Sequence, residues 1–143
     1  MTQELVSIII RTKNEERWIS QCLDSINKQT YKNFEVILVD NYSNDKTVDK
    51  AKHNKVKKIL KIKNFFPGKA INLGAKISKG KYIVCISAHC IPKNTKWLEN
   101  LVKCIESDEK IAGVYGRQEA MSYSKPEDKR DLLLVFGLDK KIQ

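Results

Sequence analysis

Short apolar runs alternate along the chain with longer stretches in which apolar residues recur every three to four positions. The apolar runs 5–10, 34–39 and 82–86 are rich in β-branched residues and have the length of buried strands. The periodic stretches predict helices over 14–28, from a cap at Ser43 or Asn44 to His53, over 69–78, and from a cap at Asn94 or Thr95 to Ile105. This order predicts an α/β fold, a three-layer α/β/α sandwich around a mostly parallel central sheet.

Three further segments carry weaker patterns. Residues 56–62 alternate apolar side chains with lysine, as a half-exposed strand does, and 111–115 are expected to form another strand. The apolar run 132–136 follows a polar stretch and is assigned to neither class. With 143 residues, 41% of them apolar, the chain is expected to form one soluble globular domain over 1–143.

Polar side chains follow the ends of the predicted strands. Thr12 and Asn14 come directly after the first strand, and Asp40 ends the second. In an open α/β sheet, ligands bind in the crevice beyond the carboxyl ends of the strands. We therefore expect these three side chains to face one crevice that holds a small molecule.

Positive charge is concentrated in one part of the chain, whose formal net charge is +10. The segment 46–69 is rich in lysine and opposed only by Asp49. One interpretation is a solvated helix face beside an edge strand that lysine keeps from aggregating. The other is a surface for an anionic partner, such as a membrane surface or a phosphorylated substrate. Nucleic acid is not expected, because the segment has no arginine, few aromatic residues and no nucleic-acid motif.

The chain shows neither a signal peptide nor an apolar stretch of the roughly 18 residues that a membrane span needs. We expect a cytoplasmic protein, with peripheral association at the membrane as the alternative. Four cysteines without a C-x-x-C spacing are expected to be small buried residues with free thiols. A zinc site at Cys85, His89 and Cys90 lacks a fourth ligand at a familiar spacing.

Taken in order, three segments resemble the inverting glycosyltransferases of family two, which have the Rossmann-like GT-A fold. Residues 6–15, VSIIIRTKNE, resemble the first strand of that family and its threonine–x–asparagine loop. Residues 36–47, VILVDNYSNDKT, resemble its second strand, where the usual pattern is Val-Asp-Asp-Gly-Ser-x-Asp-x-Thr. Residues 68–74, GKAINLG, resemble its Gly-x-x-x-Ala-x-Asn-x-Gly segment with the early spacing shortened. The resemblance covers about residues 5–120.

The resemblance implies a site for a nucleoside-diphosphate sugar of the UDP or dTDP type. Asp40 would accept the N–H of the base, and Thr12 and Asn14 would shape the pocket for base and ribose. Lys69 would approach the diphosphate, and Asn72 would orient the sugar or the phosphates. For Thr12 and Asn14, capping of the first helix is a structural alternative.

A departure from the family lies after the strand 82–86. The family usually carries Asp-x-Asp there, which holds a divalent cation against the diphosphate, whereas this chain reads Ser87-Ala88-His89. Mg²⁺ prefers oxygen ligands, and imidazole suits Mn²⁺ better. Three interpretations of His89 stay open: a Mn²⁺ ligand, a cation that faces the diphosphate, or a loop histidine in a site that has lost its metal.

The resemblance implies transfer of the sugar with inversion to a saccharide, lipid or protein acceptor, in polysaccharide biosynthesis for example. Such a transfer needs a general base, which this family supplies from a later, acceptor-binding half. Glu127, Asp128 and Asp131 are interpreted as surface charges, so no catalytic base is assigned. We interpret the chain as the donor-binding half, truncated before the acceptor-binding half. A non-catalytic binding domain or a shortened, inactive enzyme is the alternative.

Other nucleotide-using enzymes fit the strand ends less well. A nucleotidyltransferase usually has a glycine-rich phosphate loop after the first strand, and residues 11–14 contain no glycine. A Rossmann dehydrogenase would need a G-x-G-x-x-G fingerprint after a strand, which this sequence lacks.

Overall fold

The computed structural model describes residues 3–54 and 56–136, and the chain divides into two compact units, 1–103 and 104–143. The first unit alternates strands and helices: β1 (Val6–Thr12), α1 (Ile19–Asn27), β2 (Phe34–Asp40), α2 (Thr47–His53), β3 (Lys58–Lys61), α3 (Pro67–Ile77), β4 (Tyr82–Ser87) and α4 (Trp97–Ile105), which ends just past the boundary of the unit. The second unit contains α5 (Pro126–Phe136). None of the helices in the described ranges is both long enough and apolar enough to cross a bilayer.

The four strands form one parallel sheet in the order β3-β2-β1-β4. β1 lies between β2 and β4, with Thr12 opposite Asp40 and Arg11 opposite Ser87. Because the strands are parallel and in register, their carboxyl ends meet at one edge of the sheet. The predicted α/β fold with a parallel central sheet is therefore confirmed.

Helices lie on both faces of this sheet, and alternate residues of β1 point to one face or the other. Val6, Ile8 and Ile10 join a core cluster with α1 and α4, while Ile9 joins a second cluster with Ala70 of α3. A Cβ atom at Gly74 of α3 would lie 2.6 Å from Ile9 Cγ2, so only glycine allows this close approach. The predicted three layers are present.

The opposite end of the sheet is held by a network around Glu35. Its Oε1 accepts hydrogen bonds from Ser7 Oγ (2.7 Å) and from the backbone N–H of Lys79 (2.8 Å), and its Oε2 forms an ion pair with Lys58. Burial by itself would raise the pKa of Glu35, but the hydrogen bonds from Lys58, Ser7 and Lys79 lower it to about 2. Gly80 also donates its N–H to Ser7 Oγ at 2.8 Å, which secures the chain before β4.

Several predicted elements differ from the structure. The strand expected at 111–115 is wrong: in the described part of the second unit this segment has no regular secondary structure and no strand to pair with. The unassigned run 132–136 belongs to α5. Of the four cysteines expected to be buried, Cys22 is buried, Cys90 and Cys104 are half-buried, and Cys85 is exposed. Cys85 is exposed because β4 is the last strand in the order of the described sheet and adds no residue to the cluster under α3.

Helix starts differ as well. The helix predicted from Asn14 begins only at Ile19, and its N-cap residue, Trp18, makes no side-chain capping bond. α2 begins at Thr47 with Lys46 as the N-cap residue, so neither Ser43 nor Asn44 caps it. Ser43 instead accepts the backbone N–H of Asn14 in the other loop, and Asp45 accepts the N–H of Thr47 at the start of α2.

Candidate functional site

The carboxyl ends of β2, β1 and β4 lie side by side. The backbone N–H of Asn41 donates to Thr12 O at 2.9 Å, and that of Ala88 donates to Arg11 O at 3.1 Å. The loops after these strands therefore leave the sheet at the same level. The structure brings Thr12 and Asp40 to one edge of the sheet, as the sequence analysis expects, and the loop after β4 begins at the same edge.

Asp40 is fully buried at this edge. Its Oδ2 accepts the backbone N–H of Ser43 at 3.0 Å, and its Oδ1 accepts the hydroxyl of Ser43. Between them, Tyr42 adopts a left-handed backbone with φ of 47°, at the position where the family pattern has glycine. Asp40 thus fixes the turn after β2, and two of the roughly four acceptor sites of a carboxylate stay free.

The loop after β1 is joined to the loop after β2 by a set of reciprocal hydrogen bonds. Asn14 has φ of 53°, donates its N–H to Ser43 Oγ (2.9 Å), and accepts the N–H of Asn44 at its side-chain oxygen (3.0 Å). The two next residues of this loop donate their N–H groups as well, in the contacts Glu15 N to Thr47 Oγ1 (2.7 Å) and Glu16 N to Asp45 Oδ2 (3.0 Å). Asn14 therefore joins the two loops. The alternative role, capping of α1, is wrong for this residue, because α1 begins only at Ile19.

Asp45 and Thr47 complete this connection, and the sequence analysis gave them no role. Partial burial alone would raise the pKa of Asp45, but hydrogen bonds from Thr47 and from the N–H of Glu16 hold it below its usual value. Both residues match the Ser-x-Asp-x-Thr part of the family pattern at 43–47. That match was the signal that could have identified them as loop-fixing residues.

Thr12 carries an unusual hydroxyl. The residue is 3% exposed, and among the described residues its Oγ1 is the one buried side-chain oxygen or nitrogen without a hydrogen-bond partner. An unsatisfied buried polar group costs about 1–3 kcal/mol. A bound molecule that forms a hydrogen bond with Thr12 Oγ1 would remove this cost.

His89 lies in the loop after β4 and approaches the loop after β1. Its Nδ1 is 2.9 Å from Glu15 Oε1, and its side chain is 57% exposed, compared with 20% for Glu15. The hydroxyl of Ser87 already accepts a hydrogen bond from Arg11 Nε at 2.9 Å. Over the described residues, no cluster of three or more histidine, cysteine or acidic side chains could hold a metal ion.

Lys69 and Asn72 lie on α3, which covers the face of the sheet that contains Ile9. Both are exposed and line an open cavity of about 740 Å³ together with Ile62, Leu73, Ala75 and Lys76. The N–H of Ile62 donates to Asp40 O at 2.9 Å. Because Ile62 also lines the cavity, one side of the cavity lies next to the end of β2. Lys69 and Asn72 therefore lie on the helix that covers the Ile9 face, and Asn14 lies in the loop after β1.

An exposed aromatic ring stands at the same edge of the sheet. Tyr42 is 48% exposed, and its ring has Lys61 Nζ at 5.3 Å and Lys63 Nζ at 6.0 Å from the centroid. These contacts fall in the range of cation–π interactions. The sequence analysis treated both lysines as part of a charged segment and did not connect them with Tyr42.

Comparison with known proteins places these observations in a family. The family described as "Glycosyl transferase family 2" matches residues 7–141. The chain is 36% identical over 108 residues to the E. coli protein "UDP-Glc:alpha-D-GlcNAc-diphosphoundecaprenol beta-1,3-glucosyltransferase WfaP", covering 73% of this chain and 43% of that protein.

Two solved structures share the fold. S. aureus TarS 1–349 in complex with UDP-GlcNAc aligns with a TM-score of 0.63 and 28% identity, covering 82% of this chain and 37% of that TarS 1–349 chain. The Pyrobaculum calidifontis mannosyltransferase PcManGT, in complex with GDP-Man and Mn²⁺, aligns with a TM-score of 0.66 and 23% identity, covering 90% and 38%. The chain therefore spans less than half the length of each of these three proteins. With the family pattern matched over nearly its whole length and the GT-A fold present, the chain belongs to glycosyltransferase family 2.

Proposed function

We propose that this chain binds a nucleoside-diphosphate sugar of the UDP or dTDP type and forms the donor-binding part of an inverting glycosyltransferase. The observation that carries the proposal is the buried, unpartnered hydroxyl of Thr12 beside Asp40, at the edge where β1, β2 and β4 end. TarS, which shares the fold, was crystallised with UDP-GlcNAc. A pyrimidine base carries N–H and carbonyl groups that match a hydroxyl and a carboxylate.

Each residue at the strand ends has a distinct role in this proposal. Thr12 hydrogen-bonds the base or the ribose, which satisfies its buried oxygen. Asp40 accepts a base N–H with an oxygen lone pair that Ser43 leaves free. Asn14 acts by holding the two loops together, so that the pocket exists before the donor arrives.

The lysines beside the sheet attract the diphosphate. Lys61 and Lys63 stand at the end of β3 next to Tyr42, and Lys69 and Asn72 line the cavity on α3 that begins beside Ile62. A group of cations at one edge raises the local concentration of an anionic ligand and speeds its association. Lys69 and Asn72 reach the donor from the α3 side in this arrangement.

A divalent cation fits this site only with a changed set of ligands. Ser87 is engaged by Arg11, so the residues left to hold a cation are His89 and the neighbouring Glu15. A bound cation would neutralise the negative charge of the diphosphate as the bond to the sugar breaks. Mn²⁺ suits this mixed nitrogen and oxygen set better than Mg²⁺ does.

The acceptor is proposed to be a saccharide or a lipid-linked saccharide, as in polysaccharide biosynthesis, because the name of the E. coli relative specifies a lipid-diphosphate acceptor. Action at the cytoplasmic side of a membrane would then bring the lysine-rich segment 46–69 near anionic lipids. Lys55 of this segment lies outside the described residues. Co-sedimentation with vesicles tests this contact: binding to vesicles with anionic lipid, and none to neutral vesicles, is expected.

Calorimetry with UDP, dTDP, CDP and GDP tests donor binding. We expect UDP and dTDP to bind, and Thr12→Val to weaken UDP binding about 5- to 10-fold through the loss of one hydrogen bond. Thr30→Val, at an exposed threonine that binds Thr95 O, is the matched control and should leave affinity unchanged. If Thr12→Val and Thr30→Val bind UDP alike, the site assignment fails. Binding without sugar transfer or donor hydrolysis would indicate a non-catalytic binding domain.

A further inference from the structure

We infer that Arg11 binds the diphosphate of the donor directly through its guanidinium, and that Ser87 holds the guanidinium in position for this contact. The inference rests on the proposed function, because the diphosphate belongs to the nucleotide sugar proposed there. It assigns a role to the residue before Thr12, to which the sequence pattern assigns no function. Arg11 supplies positive charge beside a loop that carries no aspartate to hold a cation.

Arg11 lies at the carboxyl edge of the sheet, where the donor is proposed to bind. It is the next-to-last residue of β1 and lies opposite Ser87, the last residue of β4. Because side chains alternate along a strand, Arg11 points to the face of Ile9, and its neighbour Thr12 points to the other face. A donor whose base contacts Thr12 therefore reaches Arg11 by crossing the end of β1.

The face that Arg11 shares with Ile9 is also the face that α3 covers. α3 packs on Ile9 in the second core cluster, and it carries Lys69, which was predicted to approach the diphosphate. Over β4 this face is open, since Ile83 is 46% exposed and Cys85 is exposed as well. The half-buried Arg11 thus stands beside an accessible surface that a ligand can reach.

The guanidinium of Arg11 is held at one nitrogen and leaves the others available. Its Nε donates to Ser87 Oγ at 2.9 Å, and Ser87 is 7% exposed. Within the described ranges, no carboxylate forms an ion pair with Arg11, and no acceptor takes the N–H groups of its two terminal nitrogens. A guanidinium of this kind suits an oxyanion, because its parallel N–H groups match two oxygens of a phosphate.

Serine at position 87 keeps this charge available. The family usually has the first aspartate of Asp-x-Asp there. Because Ser87 Oγ already lies 2.9 Å from Arg11 Nε, an aspartate at this position would form an ion pair with Arg11 and take up part of its charge. The neutral hydroxyl accepts one N–H and leaves the positive charge for the ligand. Arginine stays charged at every physiological pH, so this contact needs no divalent cation.

Ligand-detected NMR titrations in EDTA, which measure even weak affinities, test the inference with UDP and uridine. We expect the parent to bind UDP in EDTA. Arg11→Gln should weaken UDP binding about 10- to 100-fold and leave the affinity for uridine unchanged, because only the phosphates contact the guanidinium. Arg17→Gln, at an exposed arginine that stacks on Trp18, is the matched control and should bind UDP as the parent does. Equal losses of UDP and uridine affinity in Arg11→Gln would show a purely structural role and overturn the inference.

Substitutions of Ser87 test its part as a positioning residue. Ser87→Ala should weaken UDP binding about 3- to 5-fold, and it should add nothing in combination with Arg11→Gln, because Ser87 acts through Arg11. Ser87→Asp should weaken UDP binding in EDTA more than Ser87→Ala does, although the arginine is still present. Circular dichroism confirms that each variant folds. Parent-like UDP binding by Ser87→Asp, or additive losses in the double variant, would overturn the role of Ser87.

Inorganic pyrophosphate separates this inference from the proposed function. If UDP binds the parent and Arg11→Gln alike, or binds only when Mn²⁺ is added, the donor site stands and the inference is overturned. If pyrophosphate binds the parent but not Arg11→Gln, while uridine does not bind and UDP binds no better than pyrophosphate, the diphosphate site at Arg11 stands and the proposed donor function fails. Both fail if the parent binds neither UDP nor pyrophosphate.

Discussion

Replacing Glu35 by glutamine should destabilise the protein in a manner that depends on pH. The substitution keeps the size of the side chain but removes its negative charge. That charge faces Lys58 and accepts hydrogen bonds from Ser7 and Lys79. The pKa of Glu35 falls from 4.5 to about 2 in the folded chain. That difference corresponds to about 3 kcal/mol, and since Lys58 is 34% exposed, solvent reduces it to about 2 kcal/mol.

The sign follows from the direction of the pKa change. A carboxyl whose pKa is lower in the folded state stabilises the protein above its unfolded pKa, here 4.5, and loses this contribution as the pH falls toward 2. The free energy of unfolding of Glu35→Gln should therefore lie about 2 kcal/mol below the parent at pH 7. The difference should narrow between pH 4.5 and pH 2.

Urea unfolding followed by tryptophan fluorescence, at several pH values from 7 to 3, measures this difference. Glu4→Gln is a suitable control, because Glu4 pairs with Lys81 in an exposed position where both side chains are about half accessible. Such a pair contributes at most about 1 kcal/mol. A gap between parent and Glu35→Gln that stays constant from pH 7 to pH 3, or one no larger than that of Glu4→Gln, would refute the reasoning.

Three further predictions concern backbone strain, packing and thiol reactivity. Tyr42→Gly should be more stable than Tyr42→Ala by about 1 kcal/mol in urea unfolding. Both variants lose the aromatic ring, but only glycine adopts φ of 47° at no cost. Equal stabilities of the two variants would contradict this prediction. Gly74→Ala should lower the free energy of unfolding by about 1–3 kcal/mol, because its Cβ would lie 2.6 Å from Ile9 Cγ2, and an unchanged midpoint would show that α3 can move away. With a thiol reagent at pH 8, Cys85 should react well before Cys22. Cys22 is fully buried, and this burial is the main cause that raises its pKa to about 12. Mass spectrometry of the labelled peptides measures the order of reaction.

The sequence alone was sufficient to predict the layers of the fold. The runs that form β1, β2 and β4 are recognisable from their apolar, β-branched residues. β1 and β2 are apolar along their length because helices cover both of their faces, whereas on β4 one face, with Ile83 and Cys85, is exposed. The positions of Thr12 and Asp40 at one edge followed from the same reasoning, since parallel strands end together. The run 111–115 shows the limit of such reasoning, because a strand exists only where another strand pairs with it.

What only the tertiary structure decided are the contacts between loops that lie far apart in sequence. Glu15 and His89 are 74 residues apart and Ser7 and Glu35 are 28 apart, and no local pattern predicts that either pair meets. The burial of Asp40 and its two bonds to Ser43 likewise depend on how the turn folds back over the strand end. Periodicity records which side of an element faces the core, whereas a side-chain hydrogen bond depends on the distance between two atoms, which is fixed only once the elements have packed.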